Sequence, residues 1–182
     1  MNPLQREFTP DEFEAEALPH LNDLYRTTVR MVRDRGEAED LVQEVYLQAW
    51  KSYHKYEPGT NCRAWLYKIL FNKLDHHRRR RYARAKWLAA DGDDQLADAV
   101  AHDPAPAPEI TDEEVLAALD RVPARFREAV LLADVEEFSY KEVAQILDIP
   151  IGTVMSRLSR GRAQLREQLA GVARSYGIGQ AA

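Results

Sequence analysis

Residues 138–167, FSYKEVAQILDIPIGTVMSRLSRGRAQLRE, read as two helices joined by a tight turn. Ser139 and Glu142 have the spacing of a capping box at the start of the first helix, and Asp148-Ile149-Pro150 ends it. On the second helix Gly161 permits close approach to a neighbouring element. Its apolar face is predicted to contain Ile151, Val154, Leu158, Leu165 and Leu169. The stretch therefore predicts a helix-turn-helix, which points to duplex DNA.

The opposite side of the second helix carries hydroxyl, amide and guanidinium groups, which are suited to reading base edges and holding phosphates. These residues are Thr153, Ser156, Ser159, Arg160 and Gln164, flanked by Arg157, Arg162 and Arg166. A solvated basic face on an ordinary C-terminal helix is the alternative interpretation. The capped partner helix and the proline turn favour DNA binding over that alternative.

Composition limits the possible classes of protein. In 182 residues, 45% are hydrophobic and 30% charged, which is typical of a helical globular protein. No apolar run is long enough to span a bilayer and no secretory signal is visible, so we expect a cytoplasmic protein without membrane insertion. The single cysteine, Cys62, excludes an internal disulfide and a zinc-thiolate site. We expect no metal, no cofactor and no small-molecule substrate.

The net charge of -5 is unusual for a DNA-binding protein, but the charges are unevenly distributed. Between Lys73 and Lys86 the basic residues are interrupted by one acid, Asp75, whereas residues 87–120 contain no Lys or Arg. The acids are thus gathered away from two basic segments, which can meet DNA while the rest of the chain repels it.

The chain is predicted to be all-α, with two small helical domains. Residues 88–110, rich in Ala, Asp and Pro, predict an acidic extended linker. One helical domain is then expected at residues 8–87 and a second at residues 111–175, where Thr111 is predicted to cap the first helix. Residues 176–182 are expected to form a frayed tail.

In the first domain, residues 37–52 predict a helix with a broad apolar face formed by Leu41, Val42, Val45, Tyr46, Ala49 and Trp50. Its other side holds Asp40, Gln43, Glu44, Gln48 and Lys51, with Leu47 projecting among them. An apolar side chain rimmed by polar groups is typical of a protein contact, although a plain solvated face is the alternative.

A turn at Pro58-Gly59 separates that helix from one predicted to begin at about Ala64 and to continue into the arginine cluster. Lys68, Asn72 and Arg79 share its polar stripe with Asp75 and His76. Trp65, Tyr67 and Phe71 are expected to lie mostly in the core. Amides and aromatic rings beside arginines can instead bind single-stranded bases.

Three stretches together resemble the extracytoplasmic-function (ECF) sigma factors of the bacterial sigma-70 family. They are AEDLVQEVYLQAW at 38–50, PGTNCRAWLYKILFNKLDHHRRRR at 58–81, and the helix-turn-helix at 138–167. The resemblance implies a sigma region 2 bundle and a sigma region 4 helix-turn-helix. It also implies a non-enzymatic factor that binds core RNA polymerase, recognises the -35 and -10 promoter elements and starts transcription, in a stress or envelope response.

The resemblance also implies residue roles. Asp40, Gln43, Glu44 and Leu47 would contact the coiled coil of the polymerase beta prime subunit, with the beta subunit a further partner. The -10 element would be bound by Asn61, Lys68, Asn72, Arg78, Arg79 and Arg80. The -35 element would be bound by Thr153, Ser156, Arg157, Ser159, Arg160 and Arg162, of which Arg157 and Arg162 would hold the DNA backbone.

Family members are commonly restrained by an anti-sigma factor, so one is expected here. Met155 stands where many relatives carry Lys or Arg, and it is assigned no DNA contact. A redox role for Cys62 is disfavoured because one thiol has no resolving partner. The remaining alternatives are a dimeric repressor or activator that does not enter polymerase, and a recombinase using Tyr25 or Tyr82, for which the N-terminal domain is too short.

Overall fold

The computed structural model describes residues 8–90 and 112–175, and within these ranges all regular structure is helical. The chain divides into two compact units between Asp98 and Ala99. The helices of the N-terminal unit are α1 (Pro10–Ala17), α2 (Leu21–Val32), α3 (Arg35–Ser52) and α4 (Cys62–Ala90). Those of the C-terminal unit are α5 (Asp112–Asp120), α6 (Ala124–Val130), α7 (Tyr140–Leu147) and α8 (Ile151–Ser175). The predicted all-α fold in two helical units is confirmed.

Side-chain caps mark where α1, α3 and α4 of the N-terminal unit begin. Thr9 and Glu12 form a capping box at α1, and Asp34 accepts a hydrogen bond from the Glu37 backbone at α3. Asn61 Oδ1 accepts a hydrogen bond from the Ala64 backbone N–H, 3.0 Å away, at the start of α4. These caps satisfy N–H groups that have no partner within the helix. They explain why α3 and α4 each begin two residues earlier than predicted.

The core of the N-terminal unit lies where α3 packs against α2 and α4. Leu24, Val45, Leu66 and Leu70 are fully buried there. Buried Thr27 and Tyr67 share a hydrogen bond of 3.0 Å between their hydroxyl oxygens, which satisfies both polar groups inside the core. Tyr67 and Phe71 are buried, as the sequence predicts.

An aromatic cluster closes one edge of this core. Phe13 meets Tyr46, Trp50 and Tyr53 edge to face, with ring centroids 5.2 to 6.4 Å apart. Trp50, predicted to lie in the core, is nevertheless 39% exposed. Its position near the end of α3 leaves part of the large indole uncovered while the Phe8 and Phe13 rings contact the remainder. The expectation that the whole apolar face of α3 lies in the core is therefore wrong at Trp50.

In the C-terminal unit, α8 packs mainly on α6 and also on α7 and α5. After α6 the chain continues as a π-helical turn, Leu131–Val135. The predicted capping box at Ser139 and Glu142 is confirmed, and Asp148 ends α7 in the left-handed conformation with φ of 52°. The two helices of the predicted helix-turn-helix are thus present, with Ile149 and Pro150 completing the turn.

The packed face of α8 begins at Val154 and continues through Leu158 and Gly161, all of which are buried. Ile151, predicted to share this face, is 50% exposed because it is the first residue of the helix, one turn before the packed segment. Leu165 and Leu169 are half-buried. The sequence therefore placed the apolar face correctly but extended it one turn too far toward the N-terminus.

α4 continues to Ala90, three residues beyond the boundary predicted at Trp87. Most of the predicted linker, the predicted cap Thr111 and the predicted tail at 176–182 lie outside the described residues.

Candidate nucleic-acid and protein interfaces

The outward face of α8 presents the polar groups that the sequence predicts. Ser156, Ser159 and Arg160 are exposed, whereas Thr153 and Arg157 are half-buried. The Ser156 hydroxyl donates to the Thr153 carbonyl oxygen at 3.0 Å, which orients it while leaving its lone pairs available as acceptors. Within the described residues, no ion pair occupies Arg157 or Arg160. Their guanidinium groups are therefore available to bases or phosphates.

Arg162 differs from these two arginines because it is bound within its own domain. Its Nε donates to Asp134 Oδ2 at 2.9 Å and a terminal nitrogen donates to Asp134 Oδ1 at 2.6 Å. The other terminal nitrogen lies 3.4 Å from the Tyr140 hydroxyl. The Asp134 hydrogen bonds raise the pKa of the Arg162 guanidinium above its usual range. Its predicted contact with the DNA backbone remains a prediction.

Gly161 allows α8 to approach α6 closely. A Cβ at this position would lie 2.7 Å from Val130 Cγ2 and 3.1 Å from the Phe126 carbonyl oxygen. Such distances are shorter than van der Waals contact, so any side chain would push the helices apart. The residue needed for close helix packing therefore immediately precedes the ion-paired Arg162.

On α3, Asp40, Gln43 and Glu44 are exposed, and Leu47 is 54% exposed among them. Leu41, Val42 and Val45 on the other side of the helix are buried. The structure therefore gathers the four predicted polymerase-contact residues on one solvent-facing surface, called here the α3 face.

Ion pairs join the α3 face to α4. Glu44 Oε2 lies 3.0 Å from Lys73 Nζ. Nearer the start of α3 and outside the α3 face, Glu37 Oε1 lies 2.8 Å from His77 Nε2, a contact that is an ion pair only when His77 is protonated. Glu37 Oε2 lies 3.9 Å from a terminal nitrogen of Arg81. From the sequence, Lys73 was expected only as part of a basic segment that can meet DNA, and its pairing with Glu44 was not predicted. Its signal was the i, i+4 spacing of residues 73, 77 and 81, which places three basic groups along one side of a helix.

The predicted -10 residues follow the length of α4. Lys68 and Asn72 are exposed, and Asn61 caps the helix while remaining exposed. The predicted arginines differ in their environment. Asp75 lies 3.6 Å from Arg78 and 2.8 Å from Arg79, whereas Arg80 is exposed and has no ion pair within the described residues.

Cys62 is buried at the start of α4. Burial raises the pKa of its thiol to about 11, so the reactive thiolate is scarce at neutral pH. The described residues include no group of three or more His, Cys, Asp or Glu side chains arranged to hold a metal ion. Among those same residues, no helix is both long and apolar enough to span a bilayer.

Comparison with known families assigns both units. Residues 18–84 match the model of sigma-70 region 2, and residues 112–165 match that of sigma-70 region 4. The chain is 40% identical over 156 residues to the ECF RNA polymerase sigma factor SigE of Mycolicibacterium smegmatis, covering 83% of this chain and 59% of that protein. It is 32% identical to the ECF RNA polymerase sigma factor EcfG of Rhodopseudomonas palustris, covering 85% and 83% of the two chains.

Solved structures give the same result. The sigma factor RpoE, in a co-crystal structure with the anti-sigma factor NepR from Bartonella quintana, is 33% identical. Its TM-score is 0.75, and the match covers 88% of this chain and 98% of that one. CnrH in complex with the cytosolic domain of CnrY, at 22% identity and a TM-score of 0.65, shares the fold. With both regions matched and a relative of 32% identity covered to 83% of its length, the chain belongs to the ECF sigma factors of the sigma-70 family.

Proposed function

We propose that this chain directs core RNA polymerase to promoters through three surfaces. The α3 face binds polymerase, α4 binds the -10 element, and the exposed side of α8 reads the -35 element. The observation that carries this proposal is that exposed Ser156, Ser159 and Arg160 lie on the outward side of a helix-turn-helix. Arg157 flanks that side, and neither arginine has an ion pair within the described residues.

The α3 face supports the polymerase part of the proposal. A half-exposed leucine surrounded by two carboxylates and an amide has the arrangement of an apolar anchor with a polar rim. A repressor that acts without polymerase leaves this surface unexplained. The substitution Glu44→Lys separates the two functions, because it affects polymerase binding in a sigma factor and leaves a repressor unchanged.

The polarity of α4 supports binding of a single strand. Exposed Asn72 offers an amide that can hydrogen bond to an unpaired base. Arg80, which has no ion pair among the residues that the structure describes, offers a guanidinium for phosphate. We assign the chain no catalytic activity and place it in the cytoplasm, where its polymerase works. Absence of covalent protein–DNA adducts after incubation with promoter DNA would dispose of the recombinase alternative.

An anti-sigma protein is a further proposed partner. The related RpoE is bound by the anti-sigma factor NepR, which supports a protein of that kind restraining this chain. When a candidate anti-sigma protein is added to purified core polymerase and this chain, transcription should be abolished.

Run-off transcription tests the proposed function. Purified core RNA polymerase is given a pool of genomic promoter fragments, with and without this chain. Defined transcripts that appear only with the chain support the proposal, and their shared upstream sequences identify the promoter elements. If transcripts and polymerase binding are both absent while duplex DNA is still bound, a polymerase-independent regulator becomes the better explanation.

A further inference from the structure

We infer that Arg162 is a positioning residue, which fixes the orientation of α8 for base reading by clamping it to the π-helical turn and to α7. This inference rests on the proposed function of α8 in reading the -35 element. It replaces the direct backbone-phosphate contact predicted for Arg162 with a structural link inside the domain.

The geometry of the Arg162 side chain supports a clamp. Both carboxylate oxygens of Asp134 are engaged, at 2.6 and 2.9 Å, which is the bidentate arrangement that gives an arginine–carboxylate pair its directionality. The Tyr140 hydroxyl at 3.4 Å adds a contact from the first residue of α7. Three successive elements of the unit therefore meet at one guanidinium group.

The electrostatics of the pair argue against a phosphate contact. Asp134 neutralises the Arg162 charge, and its side chain is itself one-third exposed, so an approaching phosphate would meet a carboxylate beside the cation. Arg157 and Arg160 have no such neighbour within the described residues. Counterion release on DNA binding is therefore expected from those two arginines and not from Arg162.

The position of Arg162 on α8 explains how it can affect the base-reading groups. At Gly161, α8 lies close to Val130 and to the Phe126 carbonyl. The next residue, Arg162, is bound to Asp134. Ser156 lies six residues before Arg162, about 9 Å along the helix axis. A small rotation about residues 161 and 162 would displace the base-reading groups by an ångström or more. A displacement of that size matters because hydrogen bonds to base edges depend on distance and angle.

Asp134→Asn gives opposite results under the two hypotheses. If Arg162 is a clamp, the holoenzyme should bind a promoter containing the -35 element roughly 5-fold more weakly, although a negative charge has been removed. If Arg162 holds phosphate, the same substitution should free the guanidinium and leave binding equal or tighter. The matched control is Glu167→Gln, which removes an exposed carboxylate from α8 outside the clamp and should not weaken binding.

Arg162→Lys supplies the second test because it retains the charge and loses the bidentate fork. The clamp predicts that Lys is nearly as damaging as Ala and that neither changes the salt dependence of binding. A phosphate contact predicts that Lys retains most of the affinity and that Ala reduces the salt slope by about one. The double variant Arg162→Asp with Asp134→Arg, which exchanges the two residues, should recover part of the promoter binding that the single substitutions lose.

Promoter fragments with a scrambled -35 element distinguish positioning from a general loss of folding. On such fragments the Asp134→Asn holoenzyme should bind as tightly as the wild-type holoenzyme. The affinity of the variant for core polymerase should also equal that of the wild type. Wild-type binding by Asp134→Asn, or by Arg162→Lys, on the intact promoter overturns the inference. Failure of the wild-type chain to direct polymerase to any promoter would instead overturn the proposed function itself.

Discussion

The α3 face and the exposed side of α8 differ in how far their charged residues are already paired. On the α3 face, Glu44 forms an ion pair with Lys73 before any partner binds. On α8, Arg157 and Arg160 have no ion pair within the described residues. A paired group is oriented in advance, whereas an unpaired one is free to adapt to a base or a phosphate. The difference suits a fixed protein partner on one surface and variable DNA sequences on the other.

The largest effect is expected from Glu44→Lys. Charge reversal removes an acidic contact and places two ammonium groups together, so affinity for core polymerase should fall about 10- to 100-fold or more. Fluorescence anisotropy of labelled protein with core polymerase measures this loss. Glu14→Lys reverses an exposed charge on α1 and should bind normally. Equal losses for both variants would mean that the α3 face has no special role.

Gly161→Ala tests whether the close packing of α8 on α6 stabilises the C-terminal unit. The added methyl group would meet Val130 and the Phe126 carbonyl oxygen, which belongs to the backbone of α6 and cannot turn aside. We expect a loss of about 1 to 3 kcal/mol in the free energy of unfolding of the C-terminal unit. Chemical denaturation followed by circular dichroism measures it.

Gly152→Ala is the matched control on the same helix. Nothing lies within 4 Å of the position its Cβ would occupy, so the higher helix propensity of Ala should stabilise the unit by up to about 1 kcal/mol. If Gly161→Ala proved as harmless as Gly152→Ala, the close approach of α8 to α6 would not matter for stability.

Arg160→Ala tests base reading by an unpaired side chain. Loss of a base contact should cost about 1 to 3 kcal/mol at one base pair of the -35 element and relax the preference there. Competition binding of holoenzyme to promoters with single -35 substitutions measures the effect. Arg166→Ala, two turns further along α8, should reduce binding less and equally for all sequences. A uniform loss with Arg160→Ala would contradict base reading.

Lys73→Met tests the pairing on the α3 face. Because the ion pair holds Glu44 toward α4, its removal should weaken core polymerase binding two- to threefold, the size expected of a partly exposed pair. Lys68→Met changes an exposed lysine on the same helix and should leave polymerase binding unaffected. Tighter binding by Lys73→Met would show that the pair competes with polymerase.

The last prediction concerns the reactivity of Cys62, which belongs to neither of the two surfaces. With a pKa of about 11 in place of the ordinary value of 9.0, the thiolate fraction at pH 8 is roughly 100-fold lower than for a free cysteine. Ellman's reagent should therefore react slowly with the folded protein and rapidly in denaturant. Rapid reaction of the native chain would reopen a redox role.

How far the sequence predicted these surfaces depended on whether the signal was local. The capping box at Ser139 and the exposed serines of α8 follow from helix periodicity and nearest-neighbour chemistry, and the structure places them as predicted. The roles of Lys73 and Arg162 were not predictable in this way. Their partners lie 29 and 28 residues away, and only tertiary packing brings the groups together.

Solvent exposure was the other limit. Trp50 and Ile151 satisfy the apolar periodicity of their helices, but each lies at the end of a packed face, where the neighbouring element no longer covers it. Asn61 shows a limit in predicting function. The family resemblance assigned it to the -10 element, and the structure also uses its side chain to cap α4.

Run-off transcription at increasing concentrations of factor tests the central claim, which is that polymerase binding and -35 reading occupy separate surfaces. Two promoters differing at a single -35 base pair are compared. For Glu44→Lys, we predict that excess factor restores transcription on both promoters and preserves their ratio. For Arg160→Ala, we predict a changed ratio that saturation does not restore. If both variants changed the ratio equally, or if both were rescued alike, the division of function between α3 and α8 would be contradicted.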